Sequence, residues 1–294
     1  MTRGLGRVVA VGTLLAACGQ GASSPTVRPL TADPLQYRDD IATGQMQLQL
    51  TYHLEEQLQV AGVQFLWEGF ESELRALDML IGVGQRIDLP VSVRAPRCRI
   101  EGTTVLAPPP TDSARVVLTL ADGTTRTAEV TDADGTAIAI HHAGCERRMI
   151  ESQVVIGFDD VRRDEIDGRP MTVAELTLDR VAATSTVRVV AAGNTIPFTL
   201  RFPDLPAASP VLMELPSGRE HSSARVRFSE GRCDAHAVAE TKQPFRFVLQ
   251  LDLGDGVDHS YVVQPDPAVQ PEMLATVADG CAALDADGAL TSDG

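Results

Sequence analysis

The chain has 294 residues, with 40 acidic against 25 basic side chains and a formal charge of −15. Its 44% apolar and 22% charged residues make a globular composition, long enough for one or two domains with a sizeable core. The acid excess argues against nucleic acid or a bare anionic lipid surface as partner, because both are recognised by a basic face.

Residues 1–17 have the parts of an export signal. Arg3 and Arg7 make a positive start, Val8 to Ala17 is an apolar run broken only by Gly12 and Thr13, and Cys18 follows. As a helix that run rises about 15 Å, half of the roughly 30 Å hydrocarbon core, so it is too short to span. Leu15-Ala16-Ala17-Cys18 resembles the lipobox of bacterial membrane lipoproteins. The resemblance implies cleavage after Ala17, a diacylglyceryl group on the Cys18 thiol and attachment to the outer face of the cell membrane. Gly19 stands where an aspartate would favour inner-membrane retention in Gram-negative bacteria. Two acyl chains, at about 0.8 kcal/mol per buried methylene, make a lasting anchor. Residues 18–40 read as a flexible linker. Loss of residues 1–17 takes Arg3 and Arg7 with it and leaves a charge of about −17. Lys242 is the only lysine, a bias typical of high-GC genomes and of an actinobacterial origin.

Beyond the linker the apolar pattern has period two. Met46, Leu48, Leu50, Tyr52 and Leu54 alternate with polar neighbours, which predicts a half-buried strand. The phase shifts near Ala61-Gly62, and Val63, Phe65 and Trp67 resume on odd positions, as across a bulge or hairpin. Glu71–Leu80 is the best stretch for a helix, while its counterpart at Arg180–Val190 is β-branched. Asp122-Gly123 and Asp255-Gly256 each separate two alternating runs, a hairpin signal. Val173–Leu178 and Val187–Val190 add further strands.

The chain also repeats itself, which bears on every later assignment. Gly84-Gln85 is followed by apolar Ile87, Leu89, Val91 and Val93; Gly193-Asn194 is followed at the same offsets by Ile196, Phe198, Leu200 and Phe202. Val91–Cys98 echoes Val226–Cys233, Val117–Leu120 echoes Val248–Leu251, and both units close on Gly-Cys, at Cys145 and Cys281. Four cysteines allow three pairings, and the repeat selects Cys98–Cys145 with Cys233–Cys281. An exported protein sits where such bonds persist. The reading is therefore all-β: two tandem related immunoglobulin-like antiparallel β-sandwich domains, each with one disulfide. The first covers 41–149 and the second 150–284, with an insertion near 203–223, and 285–294 is a disordered tail. The immunoglobulin likeness is architectural, since Trp67 precedes Cys98 instead of lying between paired cysteines. The Arg232–Glu240 stretch is similar to segments of uncharacterised actinobacterial secreted lipoproteins, which bring no assigned function.

Candidate chemistry is sparse. Asp132-Ala-Asp134-Gly135 and Asp285-Ala-Asp287-Gly288 have part of a calcium-loop pattern. Val130 and Ala283 stand at the first ligand position, however, and His141 replaces the closing glutamate of the first, so both read as Asp-Gly turns. Asp252, Asp255 and Asp258 cluster in the second hairpin as a weak cation candidate. His141 and His142 lie near Cys145, a metal set only if the thiol were free. With Cys145 bonded and the histidines on a strand, the two imidazoles point to opposite faces and hold no common ion. His53 falls on the polar side of the first strand, and His236 meets the objection that applies to His141. His221-Ser222-Ser223 lies in the insertion, where a base has no fixed orientation. No Gly-x-Ser-x-Gly, His-Glu-x-x-His or phosphate-loop pattern occurs.

The expectation is a lipid-anchored cell-envelope protein that binds another envelope component without catalysis. It needs no cofactor and no nucleic acid, and it reaches its partner through a strand edge, an inter-domain groove or the insertion. The alternatives are a metal- or small-ligand-binding lipoprotein and an enzyme with an inter-domain site.

Overall fold

The computed structural model describes residues 30–51, 56–206, 208–234, 236 and 239–286. The signal segment, Cys18, Tyr52, His53, Leu54 and Asp287 lie outside the described residues. The chain is mostly β, in several sheets whose strand pairs are antiparallel except for one.

The first sheet has seven strands in the order β4-β3-β8-β9-β1-β2-β5. They are β1 (Thr31–Leu35), β2 (Gln45–Thr51), β3 (Leu58–Leu66), β4 (Leu74–Ile81), β5 (Arg86–Ser92), β8 (Arg115–Leu120) and β9 (Thr125–Val130). Two-residue strands β6 (Ile100–Glu101) and β7 (Thr104–Val105) form a separate small hairpin. The alternation of β2 does what period two requires: Met46, Leu48 and Leu50 are buried while the glutamines between them are half-exposed. At Val60/Gly62 the register shifts against both β4 and β8, so the phase change near Ala61-Gly62 is a bulge inside one strand. The pair β1–β9 is parallel. Arg75 Nη1 on β4 donates to Gln45 Oε1 on β2 (3.1 Å), so the sheet curls until distant members of its order meet. Its core holds Leu48, Leu50, Val60, Val63, Ile81, Leu89, Val116 and Leu118.

Two expectations fail here. Residues 31–40, read as linker, form β1 and the start of α1 (Arg38–Thr43). Asp40 fixes that short helix by accepting from the Tyr37 N–H (2.9 Å) and from Gln47 Nε2 (2.7 Å). Glu71–Leu80, read as helix, is β4: Leu77 and Met79 turn to the core and Leu74 and Leu80 to solvent, the two-sided pattern of a strand.

The long helices lie where the all-β reading places none, and the first covers the histidines read as strand. α2 (Thr136–Gln153) buries Ala137, His141, Cys145 and Met149, one residue every fourth position. α3 (Gln270–Ala286) repeats the stripe with Met273, Val277 and Cys281, so the residues from 285 onward are not all tail. His141 and His142 therefore sit on a helix rather than a strand. His141 is buried and His142 exposed, about 100° apart around the axis. Asp132 Oδ1 accepts the Ala137 N–H (3.0 Å) at the start of α2, which makes Asp132–Gly135 a helix-entry turn.

The second half has two four-stranded sheets. One runs β10-β11-β15-β13, the other β14-β12-β16-β17. They comprise β10 (Val154–Ile166), β11 (Arg169–Arg180), β12 (Val187–Ala192), β13 (Phe198–Arg201), β14 (Met213–Leu215), β15 (His221–Glu230), β16 (Phe247–Asp252) and β17 (Asp258–Val263). Inward residues of both sheets share one core around Phe158, Phe198, Phe228 and Phe247, with ring centroids 5.0–6.3 Å apart. The stretch 203–223 is not all insertion: it contains β14 and the start of β15. His221 Nδ1 lies 2.7 Å from Asp179 Oδ1 in the facing strand, so His221–Ser223 is ladder, not loop.

Cys98 is bonded to Cys145 and Cys233 to Cys281, across 47 and 48 positions. Both helix cysteines follow a glycine for a steric reason. A Cβ on Gly144 would stand 2.9 Å from Pro96 Cγ, and one on Gly280 would stand 3.1 Å from Glu230 Oε2. Each glycine lets its helix approach the segment that carries the partner cysteine.

Candidate functional site

Three places on the molecule gather chemistry, and α2 takes part in two. The first is an aromatic box around His141, which is 1% exposed. Its ring meets Trp67 and Phe70 edge-on at 5.5 and 5.8 Å between centroids. Trp67 is held by its Nε1–H, which donates to Pro110 O (3.1 Å). His141 Nε2 lies 3.2 Å from Arg97 O, which assigns the proton to Nε2, since a carbonyl only accepts. The Cys145 sulfur is 3.6 Å from Nε2 and 3.8 Å from Nδ1. A cleft of about 420 Å³ opens onto this group, lined by Glu68, Arg97, Cys98, Arg99, Pro110 and His141.

The second place joins the halves of the chain. His259 on β17 is buried with a carboxylate at each ring nitrogen: Glu146 of α2 at 3.3 Å from Nδ1 and Asp255 at 3.0 Å from Nε2. Glu146 also accepts the Ser260 N–H (3.3 Å), and Tyr261 donates to Glu151 of the same helix (3.3 Å). Burial raises the Asp255 carboxyl, but hydrogen bonds from His259, Thr103 and the Val257 N–H outweigh it and hold the group below its ordinary value. The three aspartates of this hairpin do not converge. Asp252 pairs with Arg188 (3.1 Å), Asp255 with His259, and Asp258 stands opposite Asp252 in the ladder. Among the described residues no group of three or more His, Cys, Asp or Glu side chains is placed to hold a metal ion. His142 and His236 are exposed, and His236 lies 3.4 Å from Glu240 one turn along.

The third place is surface. A groove of about 370 Å³ runs between α1 and residues 240–246, with Arg38, Lys242 and Arg246 beside Ile41 and Ile196. Lys242 lies 3.8 Å from Asp39; among the described residues Arg38 and Arg246 have no ion-pair partner. Burial, with the Arg147 charge nearby, lowers the Arg246 guanidinium from its ordinary value. Sequence reasoning missed this groove, because Arg38 comes from the other end of the chain from Lys242 and Arg246 and only folding brings them together.

Sheet edges complete the surface. β10 is guarded by a bulge at Asp159/Arg162 and a run of charges, β5 by Pro90, and β17 by Glu146 on its Ser260 N–H. β13 and β14 have four and three residues. β4 has eight residues, no proline, one basic and one acidic side chain and a bulge against β3, and no described strand pairs with its far side. Leu74 and Leu80 on it are 56% and 53% exposed.

Among the described residues no helix is long and apolar enough to cross a membrane. No family model matches the chain, and no curated protein matches it. Among solved structures the chain is matched to a protein of unknown function from Porphyromonas gingivalis W83. That likeness has 11% identity over 81% of this chain and 96% of that chain, with a TM-score of 0.20, too loose a superposition to carry an argument.

Proposed function

We propose that the protein is an exported lipoprotein, anchored at Cys18 to the outer face of the cell membrane, that binds an extended segment of another envelope protein. The binding mode is strand addition at β4, with main-chain hydrogen bonds giving affinity and Leu74 and Leu80 receiving alternate apolar side chains of the guest. The observation that supports it is that β4 is an eight-residue edge without proline, unpaired on its far side by any described strand, with Leu74 and Leu80 exposed on it. In this reading the second unit is an immunoglobulin-like sandwich, the first is its relative built on one curled sheet, the tether gives reach, and the disulfides brace both units outside the cell.

Carboxylate-directed cross-linking on intact cells tests it, since Lys242 is the only lysine. The expected result is one dominant partner cross-linked through Asp78, Glu71 or Glu73, and its loss when Leu74→Lys and Leu80→Lys are combined. Both leucines are more than half exposed, so those changes leave the fold intact. A partner retained by the double variant, or cross-links mapping elsewhere, contradicts strand addition.

A second reading, a small-ligand lipoprotein, is favoured by the groove at Arg246. A half-buried guanidinium without a counter-ion is costly, and an anionic ligand with an apolar flank for Ile41 and Ile196 relieves it.

A further inference from the structure

We propose that the Cys98–Cys145 disulfide is a thiol-exchange site, attacked at Cys98 by an external thiolate, whereas Cys233–Cys281 is a purely structural bond. The proposal is independent of the β4 reading and rests on what surrounds the two sulfurs.

Cys98 lines the cleft and is half-buried, while Cys145 is wholly buried, so the geometry leaves one sulfur to attack and one to expel. Arg97 and Arg99 flank Cys98, are exposed, and have no ion-pair partner among the described residues. Two free cations draw an incoming thiolate, and the Glu68 carboxylate in the same cleft only partly offsets them. On the leaving side stands His141. The Cys145 sulfur sits over the imidazole, 3.6 Å from Nε2 and 3.8 Å from Nδ1, so a polar ring covers the sulfur that must leave. The imidazole gives the released sulfur a neighbour able to carry its proton, which Val277 cannot do for Cys281. Stabilising the leaving sulfur speeds the opening of this bond.

The balance is that of any exchange. A thiolate bonds to Cys98 Sγ, the Cys98–Cys145 bond breaks, and its electron pair leaves on Cys145, which shares a proton with His141. A second thiol of the same donor attacks the mixed disulfide and releases Cys98. Two external thiols become one disulfide, and the protein takes up two electrons and two protons. The reductant is thus a dithiol, or two equivalents of a monothiol.

The second bond is an internal control. Four residues before Cys281 stands Val277 where His141 precedes Cys145. Arg232 beside Cys233 is paired with Asp234 (3.1 Å). Cys233 and Cys281 are both half-buried, so access alone would favour opening the second bond first. The neighbours favour the first.

The test treats the folded full chain with glutathione at neutral pH, traps thiols with an isotope-coded alkylating reagent, and maps the labelled peptides. Cys98 and Cys145 should label about tenfold faster than Cys233 and Cys281, with the circular dichroism unchanged over that interval. His141→Val, which copies the second site, should bring the two rates within about threefold. Arg97→Gln with Arg99→Gln, a surface change independent of the box, should slow anionic glutathione more than uncharged 2-mercaptoethanol. Equal rates at the two bonds in the native chain, or Cys233–Cys281 opening first, would overturn the proposal whatever the variants do.

Discussion

His259 and Asp255 show how single side chains close the junction between α2 and the last hairpin. Both ring nitrogens of the buried His259 face carboxylates, and Asp255 also takes hydrogen bonds from Thr103 and the Val257 N–H. Those bonds favour the ionised carboxyl, so its folded pKa lies below the unfolded value of about 3.9. A depressed carboxyl stabilises the fold above the unfolded value, and that stabilisation is lost as pH falls through the folded one. Urea unfolding from pH 7 downward should therefore show native stability dropping below about pH 4. Asp255→Asn should start with a lower midpoint at pH 7 and lose less on acidification. An unchanged acid limb in that variant would remove Asp255 from the account. None of this pairing was legible in the sequence, where Glu146 and His259 stand 113 positions apart and only folding makes them neighbours.

At the scale of elements, alternation was a reliable guide where one face of a strand meets water. β2, β8, β12 and β16 stand where period two puts them. The stretch at Glu71–Leu80 misled because an edge strand with charges scattered among leucines imitates a helical stripe. α2 and α3 were hidden for the opposite reason. Their buried stripes mix methionine with alanine, histidine, cysteine and valine and contain no leucine to mark the period. The fourfold spacing 137/141/145 and 273/277/281 was nevertheless present, and the two Gly-Cys pairs marked where each helix closes on its partner segment. The cysteine pairing followed from the repeat, and the structure holds those bonds. Each ties a C-terminal helix to a preceding segment through a loop of similar length. Replacing Cys233 and Cys281 together by serine should cost about 4 kcal/mol in equilibrium unfolding, the entropy of closing a loop of roughly 50 residues. A loss below about 1 kcal/mol would mean that the α3 stripe alone docks the helix.

For the whole molecule, the mostly β character was legible, but the sheet plan was not. The first core lies in one curled seven-stranded sheet and the second between two four-stranded sheets, a difference in long-range pairing that local alternation does not encode. The surface candidates, the β4 edge and the Arg38–Lys242–Arg246 groove, likewise depend on which strands end a sheet and which loops meet. What unites the account is location. Two disulfides fit an oxidising compartment, and the proposed anchor would bring the β4 edge to the neighbours it is proposed to bind. The most direct measurement is the intact mass and N-terminal peptide of the protein extracted from washed membranes of its own cells. The account predicts a chain that begins at Cys18, lacks residues 1–17 and carries a diacylglyceryl group on the Cys18 sulfur. A water-soluble protein with an unmodified Cys18 thiol, or a mature chain beginning elsewhere, would contradict it.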